Sequence, residues 1–197
     1  IKASAGFDAI AQALESLISK KSNSKSVEYA SKSLRISINS YISFLNDPNL
    51  KNATEMSIAA NLAGKAISIS KTTVPHAASY PFTSLFGISH GHAVSLFFEK
   101  FFKFNYENLK KSETSFDLKK RFDLIFDLID VPNINHFNSK ITFIKKQAKL
   151  EDDLGKLNID IQKSSESIIK GINILRLGNN PVKIDAKDIY NIIGKID

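Results

Sequence analysis

Apolar residues recur every three or four positions along most of this chain, which is the spacing of helices that bury one face. The pattern predicts helices over residues 7–20, 26–45, 51–70, 92–104, 115–130 and 136–149. A last helix is predicted to begin at Asp185, and Ser4 is a candidate cap for the first one. No stretch alternates as strands do, so we predict an all-α bundle of about eight helices in one domain, residues 1–197.

One segment interrupts the helical pattern. Residues 71–92 contain Pro75, Pro81 and Gly87 together with three of the four histidines. The predicted helix before it, 51–70, is rich in alanine, and small side chains let a helix approach its neighbours closely. We therefore expect helix 51–70 to be central in the bundle, followed by a punctuated, histidine-rich segment.

Composition narrows the class of protein. The 197 residues are 43% hydrophobic, which excludes low-complexity disorder, and the absence of cysteine excludes disulfides, thiolate zinc sites and a cysteine nucleophile. No apolar run reaches the roughly 18 residues of a membrane-spanning helix and no signal peptide is recognisable, so we expect a cytoplasmic protein without a membrane partner.

The charge is positive but does not favour nucleic acid. Of 27 basic residues only three are arginine, and the lysines are scattered among serines and acidic residues, which is typical of a solvated helical surface. Residues 1–111 carry 13 basic and 7 acidic groups, a net charge of +6 that favours an anionic substrate. A basic helical interaction module remains the alternative from a different functional class.

Four polar residues are candidates for metal chemistry. Asp8 and Gln12 lie four positions apart, so both project from one helix face. His76 and His90 each neighbour a helix-breaking residue, and imidazole with carboxylate is a ligand set for iron(II), zinc or nickel. Spacing alone also allows two structural histidines and an aspartate that stabilises a helix N-terminus. His92 is a candidate outer-shell group.

The order of short motifs resembles a known family. Gly6-Phe7-Asp8-x-x-x-Gln12-x-x-Glu15 is followed by Ala63-Gly64-Lys65-Ala66, His76-Ala77-x-Ser79-Tyr80-Pro81, His90-Gly91 and Asn179-Asn180-Pro181. Over essentially its whole length, the chain resembles the C-terminal helical domain of iron-containing (group III) alcohol dehydrogenases, of the dehydroquinate synthase-like fold. The branch it resembles more closely includes phosphonoacetaldehyde reductases.

The resemblance implies roles for particular residues. It assigns one divalent metal, Fe²⁺ first with Zn²⁺ or Ni²⁺ as alternatives, to Asp8, Gln12, His76 and His90, with Gln12 where the family usually has histidine. Tyr80 stands where a second histidine usually lies near the nicotinamide and substrate. The implied assignments are catalytic for Tyr80 and His92, cofactor-binding for Ile67 and Tyr80, and substrate-binding for Lys65.

The implied activity is metal-assisted hydride transfer from NAD(P)H to a small aldehyde, with phosphonate-bearing aldehydes among the candidates. Its nicotinamide would be bound mainly by an N-terminal α/β domain of the same polypeptide that this chain does not contain, so we expect the chain alone to be inactive. We also consider a homodimer. The alternative within the family is a metal-free relative in which Tyr80 or His92 stabilises the developing alkoxide by hydrogen bonding.

Overall fold

The computed structural model describes residues 1–194, and the all-α class is confirmed in that range. Its α-helices are α1 (Lys2–Ile18), α2 (Ser24–Asn46), α3 (Leu50–Ser70), α4 (Val74–Phe86), α5 (His90–Ser95), α6 (Phe98–Glu107), α7 (Leu118–Ile129), α8 (Ile134–Gln147), α9 (Ile161–Lys170), α10 (Ile174–Leu177) and α11 (Ala186–Gly194). A 3₁₀ turn covers Leu109–Lys111. The described residues form no β-strand beyond one isolated bridge between Ser112 and Val182.

Two helix caps were predicted from the sequence, one for the last helix and one for the first. Asp185 caps α11 as predicted, because its Oδ1 accepts from the backbone N–H of Asp188 at 2.9 Å. The prediction for Ser4 is wrong. The helix already begins at Lys2, and Ser4 is buried in its first turn, where its Oγ accepts from the backbone N–H of His92 at 3.1 Å.

The punctuated segment is mostly helical. Pro75 lies in the first turn of α4, where a missing N–H leaves no hydrogen bond unmade. Pro81 lies inside the helix and cannot donate to the carbonyl of Ala77, four residues earlier. That carbonyl instead accepts from the backbone N–H of Asn173 at 3.1 Å, which attaches the C-terminal part of the chain to α4.

The buried side chains form two hydrophobic clusters. The first, which we call the α1 cluster, includes Phe7, Leu14, Phe102, Phe122 and Phe137, from α1 and from α6 to α8. The second, the α4 cluster, includes Val74, Phe82, Phe97, Ile168 and Ile189, from α4, α9, α11 and the link between α5 and α6. Helix α5 contributes Val94 to the first cluster and Ala93 to the second, so the boundary between them runs beside α5.

Helix α3 is not central, contrary to the expectation from its small residues. It packs against α1 and α2 through Ala59, Ala63 and Ala66, while many of its other positions are exposed. Its alanines therefore permit close packing at the outside of the bundle. Within residues 1–194, no helix is both long and apolar enough to span a membrane.

Candidate metal centre

Three donor side chains converge at the boundary between the two clusters. Asp8 comes from α1, His76 from α4 and His90 from the first position of α5, and one ligand atom of each lies within 4.8 Å of the others. Asp8 Oδ1 is 3.2 Å from His76 Nε2 and 3.8 Å from His90 Nε2. The structure thus brings together three of the four residues to which the sequence analysis assigned a metal.

Glycine permits the contact between α1 and α5. A Cβ added to Gly91 would lie 2.0 Å from the backbone oxygen of Ser4, which no side chain could accommodate without a backbone shift. The adjacent hydrogen bond from His92 N–H to Ser4 Oγ fixes the same junction. Close backbone approach at Gly91 is therefore what places His90 beside Asp8.

A buried carboxylate orients His76. Glu15, two turns after Asp8 on α1, is fully buried, and its Oε1 lies 2.5 Å from His76 Nδ1. Its Oε2 accepts from the backbone N–H of Thr73 at 2.6 Å and from the Thr73 hydroxyl at 2.9 Å. A proton held on Nδ1 by Glu15 leaves Nε2 directed at Asp8, the arrangement that orients histidine ligands of metals.

Charge at the two histidines differs. Burial disfavours protonated His76, but attraction from Glu15 and Asp8 outweighs burial and raises the pKa of His76 to about 9. Burial lowers the pKa of His90, and the positive charges of His76 and Arg176 lower it further against the attraction of Asp8. Because its pKa is lowered from 6.5, His90 is neutral near pH 7. Its side chain is also 42% exposed, so its ring nitrogen is accessible as a metal ligand.

Gln12 lies beside the three candidate metal ligands and hydrogen-bonds one of them, Asp8. Its Nε2 donates to Asp8 Oδ2 at 2.7 Å, so in this orientation the amide fixes the carboxylate. A metal would need the amide oxygen, which is the acceptor end of the group. Coordination by Gln12 stays a prediction.

Tyr80 and Arg176 border the same site. The Tyr80 ring lies 6.0 Å from the His90 ring, centroid to centroid, and the Arg176 guanidinium lies 5.5 Å from the Tyr80 centroid. Arg176 also donates to the Thr72 hydroxyl at 2.5 Å. The assignment of Tyr80 to the active site thus agrees in position with the donors, and its role stays a prediction.

Three other predicted residues have contacts elsewhere. His92 lies 2.6 Å through Nε2 from the backbone oxygen of Glu151, so its ring is used to hold the loop after α8. The Lys65 ammonium lies 6.0 Å from the ring of Tyr29 on α2, and Ile67 is half-buried on α3, a helix that packs against α1 and α2. Their proposed catalytic, substrate and cofactor roles are not supported by these contacts and stay predictions.

Two site residues were missed. Glu15 had no predicted role, although its place seven residues after Asp8, among apolar neighbours, puts both carboxylates on one helix face. Arg176 is about a hundred residues from the histidines, and no local pattern connects it with them. Its position follows only from the attachment of α10 to α4.

Comparison with known proteins identifies the family. Residues 2–196 match the model of the Fe-containing alcohol dehydrogenase family, C-terminal. The chain belongs to this family. The match covers nearly the whole chain, in agreement with the motifs of the sequence analysis.

Individual members of the family cover the same region. The chain is 26% identical over 194 residues to a 4-hydroxybutyrate dehydrogenase of Clostridium kluyveri, covering 96% of this chain and 51% of that protein. It is 27% identical over 101 residues to a phosphonoacetaldehyde reductase of Streptomyces viridochromogenes, covering 51% and 26%. Sulfoacetaldehyde reductase from Bifidobacterium kashiwanohense, solved with NAD⁺, superposes with a TM-score of 0.86 at 24% identity, covering 98% and 49%. The chain spans about half the length of the 4-hydroxybutyrate dehydrogenase and of the solved reductase.

The donor set fits the metal that the family name implies. One carboxylate and two imidazoles are the donors that iron(II) and zinc accept in proteins. His76 Nε2 is oriented by Glu15 through Nδ1, and His90 is neutral and partly exposed. Orientation and access therefore agree with a three-ligand metal site, and a bound metal would have to displace the proton that a pKa of about 9 keeps on His76 near pH 7.

Proposed function

We propose that this chain is the metal-binding domain of an NAD(P)-dependent alcohol dehydrogenase or aldehyde reductase. The observation that carries the proposal is the convergence of Asp8, His76 and His90 within 4.8 Å on three different helices. Its relatives are named for oxidation or reduction of small molecules, which supports hydride transfer as the reaction. The metal is Fe²⁺, with Zn²⁺ or Ni²⁺ as alternatives that suit the same donors.

The substrate in this proposal is a short aldehyde with an anionic group at its other end. Phosphonoacetaldehyde and sulfoacetaldehyde, named for two relatives, have this form. The aldehyde formed by oxidation of 4-hydroxybutyrate, the substrate named for a third, has it too, with a carboxylate as the anionic group. A bound divalent ion would supply Lewis-acid polarisation of the carbonyl oxygen. In the chain itself, Glu15 holds the tautomer of His76, Gln12 orients Asp8, and the Tyr80 hydroxyl is available as a hydrogen-bond donor beside His90.

Nicotinamide binding is assigned mainly to a nucleotide-binding domain outside these residues. The half-length match to the relatives supports this division. We therefore propose that the active enzyme is the longer polypeptide, with the 197-residue chain providing the metal donors and part of the substrate site.

A metal-free enzyme of the same family is the second candidate, and Gln12 favours it. The amide directs N–H at Asp8 where a metal would use an oxygen donor. In that case Tyr80 would supply the hydrogen bond that stabilises the developing alkoxide.

Metal binding to this chain separates the two candidates. The protein is treated with a chelator, dialysed, and titrated with Fe²⁺ under argon and with Zn²⁺, with bound metal measured by elemental analysis and calorimetry. One ion per chain is expected. The affinity should fall by more than about a hundredfold in His76→Ala, since loss of a ligand exceeds the roughly 10–100-fold effect of losing a residue that only orients a ligand. His136→Ala is the matched control, because His136 is exposed and its ring hydrogen-bonds Asn133, the cap of its own helix.

Several results would contradict the metal proposal. Absence of stoichiometric binding, or equal affinity in His76→Ala and His136→Ala, would exclude the metal site. Undiminished aldehyde reduction by the longer polypeptide after complete chelation would favour the metal-free enzyme. Steeply salt-dependent binding of DNA or RNA would instead support the basic interaction module.

A further inference from the structure

Helix α10 is fixed over the start of α4 by hydrogen bonds of the backbone and of asparagine side chains. The Ala77 carbonyl left free by Pro81 accepts from Asn173 N–H at 3.1 Å. Asn173 Oδ1 in turn caps Arg176 N–H at 3.0 Å, and Asn179 Nδ2 donates to the Thr72 carbonyl at 3.2 Å. Arg176 is therefore held next to α4, the helix that carries His76, by hydrogen bonds of Asn173 before it and Asn179 after it.

The Arg176 guanidinium has polar and aromatic contacts but no carboxylate counter-ion in the part of the chain that the structure describes. It donates to Thr72 Oγ1 at 2.5 Å and lies 5.5 Å from the centroid of the Tyr80 ring. No carboxylate among residues 1–194 forms an ion pair with it, although it is partly buried. Lys145, a fully buried cation, is by contrast paired with Glu99 at 2.7 Å.

An unpaired, partly buried guanidinium is suited to an anionic ligand. Taking the group partly out of water is unfavourable without a counter-charge, so an arriving anion gains most of the electrostatic interaction. The planar fork of arginine matches the paired oxygens of carboxylate, phosphonate or sulfonate, which a lysine ammonium does not. Two contacts, of 5.5 and 6.0 Å, connect it through Tyr80 to His90.

We propose that Arg176 binds the anionic end of the substrate and so selects anionic aldehydes over neutral ones. The inference rests on the proposed function for the reaction, but the anion site itself depends only on Arg176 and its surroundings. It replaces Lys65, which the sequence analysis assigned to this task and which lies beside Tyr29 on α2. Tyr80 is then the spacer between the anion site and the histidines.

Anion binding to this chain is the first test. Methylphosphonate, methanesulfonate and butyrate are titrated separately into uniformly ¹⁵N-labelled protein, and dissociation constants are taken from amide shifts in residues 72–80. Arg176→Gln is expected to weaken binding of the preferred probe about tenfold to a hundredfold, the range for hydrogen bonds to charged groups. The order of the three probes reports whether the site is built for phosphonate, sulfonate or carboxylate.

Arg121→Gln is the matched control. Arg121 is also partly buried, donates to the Ser22 hydroxyl and lies 4.3 Å from the centroid of the Phe116 ring. Its two partners lie just before α2 and just before α7, apart from the histidines. It should bind the anions as the unmodified protein does. Arg176→Lys keeps the positive charge and should retain part of the affinity. It therefore distinguishes loss of the charge from local unfolding caused by the glutamine substitution. Equal affinity in all four proteins, or an equal loss in Arg121→Gln, would overturn the proposal.

Kinetics of the longer polypeptide give the second test. Arg176→Gln should raise KM for phosphonoacetaldehyde or succinic semialdehyde by about tenfold or more, while kcat/KM for neutral propanal changes by less than about twofold. Equal losses for both aldehydes would refute anion selection. If the unmodified enzyme reduces no aldehyde, the proposed reaction fails, and the binding titration alone still decides the anion site.

Discussion

Replacing Glu15 with glutamine tests how the site is organised, because the two side chains have the same shape and differ in charge. The carboxylate accepts from His76 Nδ1 with one oxygen and from Thr73 N–H and hydroxyl with the other. A glutamine has only one accepting atom. If its oxygen accepts from Thr73, its NH₂ faces His76 Nδ1, which must then lose its proton. The neutral ring that results carries its one proton on Nε2, the nitrogen that faces Asp8.

The magnitude follows from the charge on His76. Its pKa is about 9 in the folded protein and 6.5 in the unfolded chain, so protonation stabilises the metal-free fold. Since the folded value is the higher one, this stabilisation is fully present below pH 6.5 and is lost as the pH rises through 9. It amounts to about 3 kcal/mol at pH 6 and about 0.2 kcal/mol at pH 9.5, shared between Glu15 and Asp8.

The assay is urea unfolding of metal-free protein at pH 6.0 and pH 9.5. Glu15→Gln should lower the free energy of unfolding by about 4 kcal/mol at pH 6, which combines most of the charge effect with about 1–2 kcal/mol for the poorly matched donors at Thr73. At pH 9.5 only the second part should remain. Glu55→Gln is the control, because Glu55 accepts at 2.5 Å from the hydroxyl of Ser40, which can adapt to an amide oxygen.

A loss in Glu15→Gln that does not change with pH would refute this reasoning. The metal gives an independent readout, since a neutral His76 whose proton stays on Nε2 cannot coordinate through that nitrogen. We expect about 10–100-fold weaker metal binding at pH 7.5 in Glu15→Gln, the range for outer-shell partners of metal ligands. Unchanged metal affinity would mean that Glu15 does not determine the tautomer.

Three further substitutions test separate contacts. Gly91→Ala should lower the free energy of unfolding in urea by about 3 kcal/mol, because its Cβ would lie 2.0 Å from a backbone oxygen of α1. Gly64→Ala is the control: its Cβ would have nothing within 4 Å, so the free energy of unfolding should stay the same or rise by up to about 1 kcal/mol. Lys145→Met should lower the free energy of unfolding by about 3–5 kcal/mol, because it leaves the Glu99 carboxylate without its partner. Adding Glu99→Gln to this variant should recover much of that free energy, because the unpaired charge is then removed. His92→Ala should lower the free energy of unfolding by about 1 kcal/mol, because the contact with the Glu151 carbonyl is lost. The number of metal ions bound per chain should not change. A changed number would mean that His92 takes part in metal binding.

Local patterns predicted several of the helices and part of the site, but not α4, α9 or α10. Asp185 was identifiable as a cap because capping depends on residues three positions apart, and the convergence of Asp8, His76 and His90 followed from the family motifs. Amphipathic spacing predicted α2, α3, α7 and α8 to within a few residues, since each buries one face. What could be predicted therefore depended on neighbours in sequence or on motif order.

The remaining features depend on tertiary contacts. Helix α4 tolerates Pro81 because Asn173, far along the chain, uses the carbonyl that the proline leaves free. The role of Arg176 and the loop contact of His92 likewise arise from segments that no short pattern connects. Gln12 illustrates the same point at the site, since its sequence position is that of a ligand while its amide contacts Asp8.

The boundary between the α1 cluster and the α4 cluster has a consequence for cooperativity. Two separate apolar cores could open as independent units, with different amide-exchange rates in α1 and α4. The ion pair between Glu15 and His76 crosses that boundary, and an ion held by Asp8, His76 and His90 would cross it again. Metal occupancy would then merge two exchange units into one, so that the chemistry of the site also determines whether the domain unfolds in one step or two.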